Sequence, residues 1–166
     1  NSNITIVNSE EQERTIALKD FYKDYKKIDL HEGELLKEIC FKPLTKKSFF
    51  NFEKVSKRTH LDIASVNSAI HISVENKTIV EANVAIGGVA AIPKYLHETS
   101  AFLKGKQLSV ETIIEANEIL QKEISPISDV RGTSDYKRLL ARQLFIAHFI
   151  ELFPMQFTLN DVAQHA

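Results

Sequence analysis

The sequence predicts an α+β fold, with an antiparallel β-sheet meander followed by three helices packed on one face of the sheet. From about residue 35 to residue 86, apolar side chains recur at every second position, the period of strands with one buried face. From residue 93 to residue 152, they follow the spacing of amphipathic helices instead. A run of strands followed by a run of helices is typical of α+β domains.

Polar and turn-forming residues divide the first half into short strands. The predicted strands span residues 4–7, 14–18, 35–41, 50–54, 66–75 and 79–86. Val66–Glu75 alternates most clearly, and Asn76-Lys77 is predicted to form the tight turn that follows it. In the strand after this turn, the side chains expected to share one face are Val80, Ala82, Val84 and Ile86. Phe50, Phe52 and Lys54 share one face of their own strand.

Capping residues and prolines set the limits of the helices in the second half. The expected boundary residues are Pro93 and Gly105 for the first helix, Ser109 and Pro126 for the second, and Thr133 or Ser134 with Pro154 for the third. The apolar stripe expected on the third helix consists of Tyr136, Leu139, Leu140, Leu144, Ala147 and Ile150. This stripe is predicted to face the sheet.

The sequence also predicts a division of the chain near residues 29–33. Residues 1–30 contain two short strands that cannot form a core alone, so they are interpreted as the tail end of a preceding domain or as an edge added to the following one. Residues 31–156 form the predicted α+β domain, and residues 157–166 a polar tail. Because the chain begins at Asn1 and its only methionine is Met155, it is expected to be a fragment or a processed chain.

Composition excludes several classes of function. With 21 basic and 22 acidic residues, neither sign is in excess, so binding to nucleic acid or to an anionic membrane surface is not expected. The apolar runs are too short for a membrane span, and no signal peptide is evident. Cys40 is the only cysteine, which excludes an internal disulfide and a cysteine-ligated cluster within this chain, and fits a reducing compartment.

No motif in the chain predicts a catalytic residue or a metal ligand. The histidines at positions 31, 60, 71, 97, 148 and 165 lack metal-ligand spacing, and no GxSxG sequence occurs. Gly87-Gly88 follows a strand, but without a complete phosphate-loop motif a tight turn explains it better. A cluster around Asp129 and Arg131 is interpreted as capping the last helix and tying the preceding loop to the sheet.

Lys54, Lys57 and Arg58 are the most informative polar residues. A cation at the rim of an aromatic strand face can hold an anion or an electron-rich ring. On composition alone, a lysine whose ammonium reaches solvent from a strand end explains Lys54 better. The residues by themselves therefore predict a soluble α+β domain and no particular reaction.

Several segments, taken in order, resemble the flavoprotein C-terminal domain of the xanthine dehydrogenase and carbon monoxide dehydrogenase group. The segments are residues 20–27, 33–36, Phe-Glu-Lys-Val-Ser-Lys-Arg at 52–58, Asp-Ile-Ala at 62–64, Ile-Gly-Gly-Val-Ala at 86–90, and Pro-Ile-Ser-Asp-Val-Arg-Gly at 126–132. The resemblance covers roughly residues 4–153. The segments at 54–58 and 128–133 are most similar to the FAD-binding small subunit of bacterial xanthine dehydrogenases.

The resemblance implies a place in an electron-transfer chain. A substrate, a purine in xanthine dehydrogenases, is hydroxylated at a molybdenum cofactor in another subunit. Electrons then pass through iron–sulfur clusters to FAD, and NAD accepts a hydride. This domain would cover one side of the flavin, with Leu36, Lys54 and Arg58 near the ring and residues 57–65 beside the approach of NAD. Residues 1–30 would end the upstream FAD-binding domain, in a cytoplasmic enzyme whose iron–sulfur domains and molybdenum-cofactor subunit are its partners.

Departures from the family pattern leave alternatives open. The chain lacks the glycine-rich FAD pyrophosphate loops and the cluster cysteines, so it is expected to be inactive alone. Some members carry an acidic residue where this chain has Leu61, which leaves control of NAD access unsettled. The alternatives are the flavoprotein of an aldehyde oxidase or carbon monoxide dehydrogenase type enzyme, and a non-catalytic binding or assembly module of the same fold.

Overall fold

The computed structural model describes residues 2–163 and divides the chain into two compact units, Asn1–Pro43 and Leu44–Ala166. The strands are β1 Ser2–Val7, β2 Glu13–Ala17, β3 Tyr22–Asp24, β4 Lys27–Ile28, β5 Leu35–Phe41, β6 Ser48–Val55, β7 Val66–Glu75, β8 Thr78–Gly87 and β9 Lys94–Tyr95. The α-helices are α1 His97–Leu103, α2 Val110–Glu123, α3 Ser134–Leu152 and α4 Leu159–Ala163, and a 3-10 turn spans Leu18–Asp20. No helix in the described part of the chain is long and apolar enough to cross a membrane.

The first unit is built on an antiparallel sheet of order β2-β1-β5. Its small core contains Ile4 and Ile6 of β1 together with Phe21. Arg14 on β2 donates to both carboxylate oxygens of Glu34, at 2.8 and 2.7 Å, and to Asp29 at 3.1 Å. These charge-assisted bonds tie β2 to the segment before β5, and the guanidinium lowers the pKa of Glu34 to about 2.

The expectation that Leu35–Phe41 begins the meander is wrong. This strand is β5, and it pairs with β1 from Ser2↔Phe41 to Val7↔Leu35. Alternation reports which side chains share a face, but it does not identify the neighbouring strand. The two compact units accordingly meet in sequence at Pro43 and Leu44, later than the predicted division near residues 29–33.

The second unit has the predicted α+β architecture. Its antiparallel sheet has the order β6-β7-β8-β9, and the inward face of β7 and β8 supplies Ile70, Ile72, Val84 and Ile86 to the core. Helices α1, α2 and α3 supply the other half of that core, including Leu103, Leu120 and Phe145. The turn at Asn76-Lys77 has positive φ at both residues, as a two-residue hairpin requires. Ser109 caps α2 and Thr133 caps α3, as predicted.

A β-bulge corrects the predicted face of β8. Ser73 pairs with Glu81, whereas Val74 pairs with Ile79, so Val80 is an extra residue in the ladder. The bulge turns Val80 outward, where it is 39% exposed, and Ile79 becomes fully buried instead. The sequence pattern was therefore right for Ala82, Val84 and Ile86 and wrong for Val80.

The first helix begins later than predicted because a short strand precedes it. Lys94 and Tyr95 form β9 on β8, and the Leu96 N–H donates to the Val84 carbonyl at 2.9 Å. The helix N-terminus has no local side-chain cap. Glu123, at the end of α2, accepts from the N–H groups of Glu98 and Thr99 at 3.0 and 2.7 Å. The Glu123 carboxylate, which belongs to another helix, thus takes the place of a local cap. Pro93 lies before β9 and does not begin the helix.

The buried face of α3 is also rotated from the predicted stripe. Tyr136 and Leu139 are exposed, whereas Lys137 and His148 are buried. A stripe drawn through apolar residues alone misses polar residues that have internal partners. His148 Nε2 lies 2.8 Å from Ser68 Oγ, and its Nδ1 lies 3.0 Å from Asn51 Nδ2. Burial lowers the pKa of His148 to about 4, so this network holds a neutral imidazole.

Aspartate substitution at adjacent positions of β8 tests the bulge. Ile79→Asp should place an unpaired carboxylate in the core and lower the free energy of unfolding by several kcal/mol, roughly 3 or more. Val80→Asp, the matched control, should stay within about 1 kcal/mol because its side chain faces outward. Urea unfolding followed by circular dichroism measures both values. Greater damage from Val80→Asp than from Ile79→Asp would contradict the bulge.

Acidification tests the buried imidazole. The pKa of His148 is lower in the folded chain than its ordinary 6.5. The unfolded state therefore binds the proton more readily, and the free energy of unfolding falls as the pH is lowered. Lowering the pH from 6.5 to 4 should reduce the free energy of unfolding by about 3 kcal/mol through the protonation of this residue in the unfolded state. Unfolding free energies of the wild type and of His148→Gln across this range isolate the effect. Parallel profiles would show that His148 is protonated as easily in the folded chain as in the unfolded chain.

Candidate functional site

The candidate site begins on the outward face of β6. The inward face of β6 carries Phe49 and Val55 against the core. Strand alternation therefore directs Phe50 and Phe52 outward, where each is about half exposed. The residues paired with these phenylalanines on β7 are His71 and Ala69. Lys54 follows on the same face at the end of the strand, as the sequence predicted.

Asp62 organises the loop that follows β6. Its carboxylate accepts hydrogen bonds from the backbone N–H groups of Arg58 and Ile63, both at 2.9 Å. The Arg58 guanidinium adds a longer contact of 3.5 Å. The Arg58 N–H lowers the pKa of Asp62 most, and the guanidinium lowers it further. An ionised carboxylate therefore fixes the turn from residue 58 to residue 63.

The structure brings Lys54 and Arg58 together on this turn. Lys54 Nζ donates to the Asp62 carbonyl at 2.7 Å, and Arg58 Nη2 donates to the Leu61 carbonyl at 3.2 Å. Their partners differ in charge. Arg58 shares its charge with the Asp62 carboxylate, whereas the contact described for Lys54 is with a neutral carbonyl. The formal charges of Lys54, Arg58 and Asp62 therefore sum to +1 on this turn.

The apex of the loop is strained. Leu61 has a φ of 49° and is 98% exposed. A branched apolar residue in the left-handed region costs free energy, and a fully exposed leucine offsets none of it by burial. Such strain is common where a loop is held for binding.

The loop is anchored at both ends to a second loop. Lys57 Nζ donates to the Val130 carbonyl at 2.6 Å, and Ser65 Oγ donates to the Arg131 carbonyl at 2.8 Å. Gly88 supports the same end, since its φ is +86° and a Cβ there would collide with the Ser65 carbonyl oxygen. Gly88 thus supplies the conformational freedom expected at this point, but in a bend between β8 and β9 rather than in a tight strand-to-helix turn.

Leu36 belongs to the first compact unit. It lies on β5 opposite Ile6 of β1, and its side chain is 42% exposed. The same strand exposes Leu35, Ile39 and Phe41. An exposed apolar surface of this kind is a common contact surface for another part of a protein.

Sequence reasoning missed the roles of Asp62 and Lys137. The signal for Asp62 was its position four residues after Arg58, where a carboxylate can accept backbone N–H groups of a tight turn. The signal for Lys137 was its three- and four-residue spacing from Leu140 and Ala141, which are buried on α3. Among residues 2–163, no group of three or more His, Cys, Asp or Glu side chains is arranged to hold a metal ion.

Comparison with known proteins identifies the domain. Residues 51–152, more than half of the chain, match the family model described as the CO dehydrogenase flavoprotein C-terminal domain. The chain belongs to this family. The matched region begins inside β6 and ends with α3, so it contains Lys54, the Asp62 loop and the loop on which it rests.

Similar proteins share the domain but differ in total length. Xanthine dehydrogenase 1 of Arabidopsis thaliana is 28% identical over 87% of this chain, which spans 11% of that protein. The glyceraldehyde dehydrogenase medium chain of Sulfolobus acidocaldarius is 28% identical over 89% of this chain, which spans 52% of it. A solved carbon monoxide dehydrogenase chain from Hydrogenophaga pseudoflava shares the fold, with a TM-score of 0.86 and 21% identity over 94% of this chain and 54% of the other.

Proposed function

We propose that this chain is the C-terminal domain of the FAD subunit of a molybdenum hydroxylase, in which it covers one side of the flavin ring. The observation that carries the proposal is the match of residues 51–152 to a flavoprotein C-terminal domain, which includes a loop that presents two cations. Leu36, Lys54 and Arg58 are the proposed cofactor-binding residues.

The donors around this loop fit the ring of FAD better than its phosphates. Lys54 and Arg58 are exposed N–H donors beside the outward-facing Phe50 and Phe52, a combination that suits a planar ring with carbonyl groups. Such a ring, when bound, supplies two-electron redox chemistry. Positive charge beside it favours the anionic reduced form, and the Asp62 turn holds the donors in place. The pyrophosphate would bind to residues outside this loop.

The partners and acceptor follow from the same assignment. We propose that iron–sulfur clusters deliver electrons from a molybdenum cofactor in another subunit, and that NAD accepts them in a cytoplasmic enzyme. The names of similar proteins support a multi-chain enzyme, since the relatives include a glyceraldehyde dehydrogenase medium chain and a nicotine 6-hydroxylase medium subunit. Residues 57–65 are the proposed loop beside the approach of NAD.

Xanthine is the proposed substrate of the intact enzyme, which would act in purine metabolism. The support is the similarity to plant xanthine dehydrogenases. The resemblance of the segments at 54–58 and 128–133 to bacterial xanthine dehydrogenases adds to it. Similar proteins also include enzymes named for glyceraldehyde and nicotinate. Assays of the intact complex with purines, aldehydes and carbon monoxide separate xanthine from the alternatives.

Removing the two cations from the intact enzyme tests the placement of the flavin. Lys54→Met should lower the flavin potential by about 20–45 mV, the equivalent of roughly 1–2 kcal/mol for a two-electron couple. Arg58→Leu should lower it as well, because it deletes a positive charge and leaves the Asp62 carboxylate without its ion pair. Flavin redox titration gives both values, and half-reaction kinetics show whether only the oxidative half changes.

Lys47→Met is the matched control for Lys54→Met. Lys47 precedes β6 at the opposite end and contacts Glu75, so its removal deletes the same charge about 23 Å away along the strand. The flavin potential of the Lys47→Met variant should stay at the wild-type value. Wild-type potentials and NAD kinetics in both loop variants would mean that Lys54 and Arg58 only stabilise their own loop.

The isolated chain should bind FAD weakly or not at all. Phosphate-cradling loops supply much of the affinity for a dinucleotide, and the sequence has neither GxGxxG nor GxxxxGK[ST]. Titration of FAD into the purified chain, followed by flavin fluorescence, measures the affinity. Stoichiometric binding at micromolar concentration would contradict this expectation and would require a pyrophosphate site among these residues.

A further inference from the structure

The loop with the proposed flavin contacts depends on a second loop. Residues 56–65 are joined to it by the bonds from Lys57 to the Val130 carbonyl and from Ser65 to the Arg131 carbonyl. Both acceptors are backbone atoms, so the loop can keep its position only while the chain at 130–131 keeps its own. The short turn between Asp129 and Gly132, closed by a pair of backbone hydrogen bonds at 3.0 and 3.1 Å, contains both acceptors.

A buried lysine holds that turn on α3. Lys137 is 2% exposed, and its Nζ donates to Asp129 Oδ2 at 2.8 Å and to the Ile127 carbonyl at 2.9 Å. Asp129 also accepts the Arg131 N–H at 2.8 Å, so one carboxylate joins the lysine to the turn. The ammonium is the main cause that lowers the pKa of Asp129, so this carboxyl group is ionised at neutral pH. A buried charge without this partner would be costly.

We infer that Lys137 is a positioning residue for the flavin-facing loop, acting through Asp129 and the turn at 129–132. The contacts run from α3 through Lys137 and Asp129 to the Val130 and Arg131 carbonyls, and from these to Lys57 and Ser65. The inference rests on the proposed function for its consequence at the flavin. Its mechanical part, that Lys137 orders residues 56–65, is independent of the flavin.

Arg138 supplies a matched comparison on the same helix. Its guanidinium donates to the Gln121 and Ile124 carbonyls at 2.7 and 3.0 Å, which lie at the end of α2. Arg138 thus makes equally strong charge-assisted bonds to backbone carbonyls, but its described contacts are with α2 and not with the turn at 129–132. If any loss of a cation from α3 loosened the loop, Arg138→Met would do so as well.

Hydrogen exchange of the full chain tests the mechanical part. The N–H groups of Arg58, Ile63 and Ser65 are hydrogen-bonded and report on the order of the loop. Lys137→Met should raise their exchange rates roughly tenfold, the factor that corresponds to about 1.4 kcal/mol. Arg138→Met should leave these rates unchanged and raise exchange near the end of α2. Equal rates at residues 58–65 in the wild type and Lys137→Met overturn the inference.

Lys57→Met and Ser65→Ala keep the test decisive if Lys137→Met fails to fold. Both variants cut the bonds between the two loops and leave the buried pair of Lys137 and Asp129 intact. Each should raise exchange at residues 58–63 severalfold. If neither does, the turn at 129–132 does not hold the loop, and the inference is wrong.

Redox titration of the intact flavoenzyme tests the functional part. Lys137→Met should change the flavin potential in the direction of Lys54→Met and raise the KM for the electron acceptor more than it lowers kcat, whereas Arg138→Met should alter neither. Faster exchange at residues 58–65 with an unchanged potential in Lys137→Met overturns the positioning role. If Lys54→Met also leaves the potential unchanged, the proposed function fails as well, so the two failures are distinguishable.

Discussion

The need to give every buried polar group on α3 a partner constrains the second unit more than any single apolar contact. The helix crosses the sheet with Lys137 near its start and His148 near its end, both buried. Asp129 and the Ile127 carbonyl neutralise and solvate the lysine, while Ser68 and Asn51 satisfy the histidine. Apolar packing would tolerate small rotations of a helix, whereas these bonds fix its rotation and its height over β6 and β7.

The regular parts of this architecture could be read from the sequence because they depend on local rules. Strand alternation on Val66–Glu75, the turn at Asn76-Lys77 and the caps Ser109 and Thr133 each follow from a few adjacent residues. The match of local preference with the observed fold is what a single stable structure requires.

The parts that could not be predicted depend on residues far apart in the sequence. Leu35–Phe41 alternates like a meander strand, but its partner β1 lies some thirty residues earlier. The bulge at Val80 has no marker in the residue pattern, and the start of α1 depends on a carboxylate from α2, Glu123. Sequence periodicity gives the face of each element. The choice of partner is made by the tertiary structure.

The same distinction applies to the candidate site. The basic residues at 54–58 were evident as a cluster, but their shared partner was not, because it depends on how the loop folds. Asp62 offers a carboxylate to Arg58 and a carbonyl to Lys54, so one residue holds both cations on the turn.

Under the proposed function, this domain contributes electrostatics and position to a reaction and leaves the bond-making steps to other groups. The Asp62 carboxylate is occupied by the backbone N–H groups of Arg58 and Ile63, so its role in the loop is structural. What the loop offers is fixed charge held by a rigid helix, and fixed charge changes the energy of a redox state without being consumed. The same domain can therefore serve enzymes with different substrates, which agrees with similar proteins named for xanthine, glyceraldehyde and nicotinate.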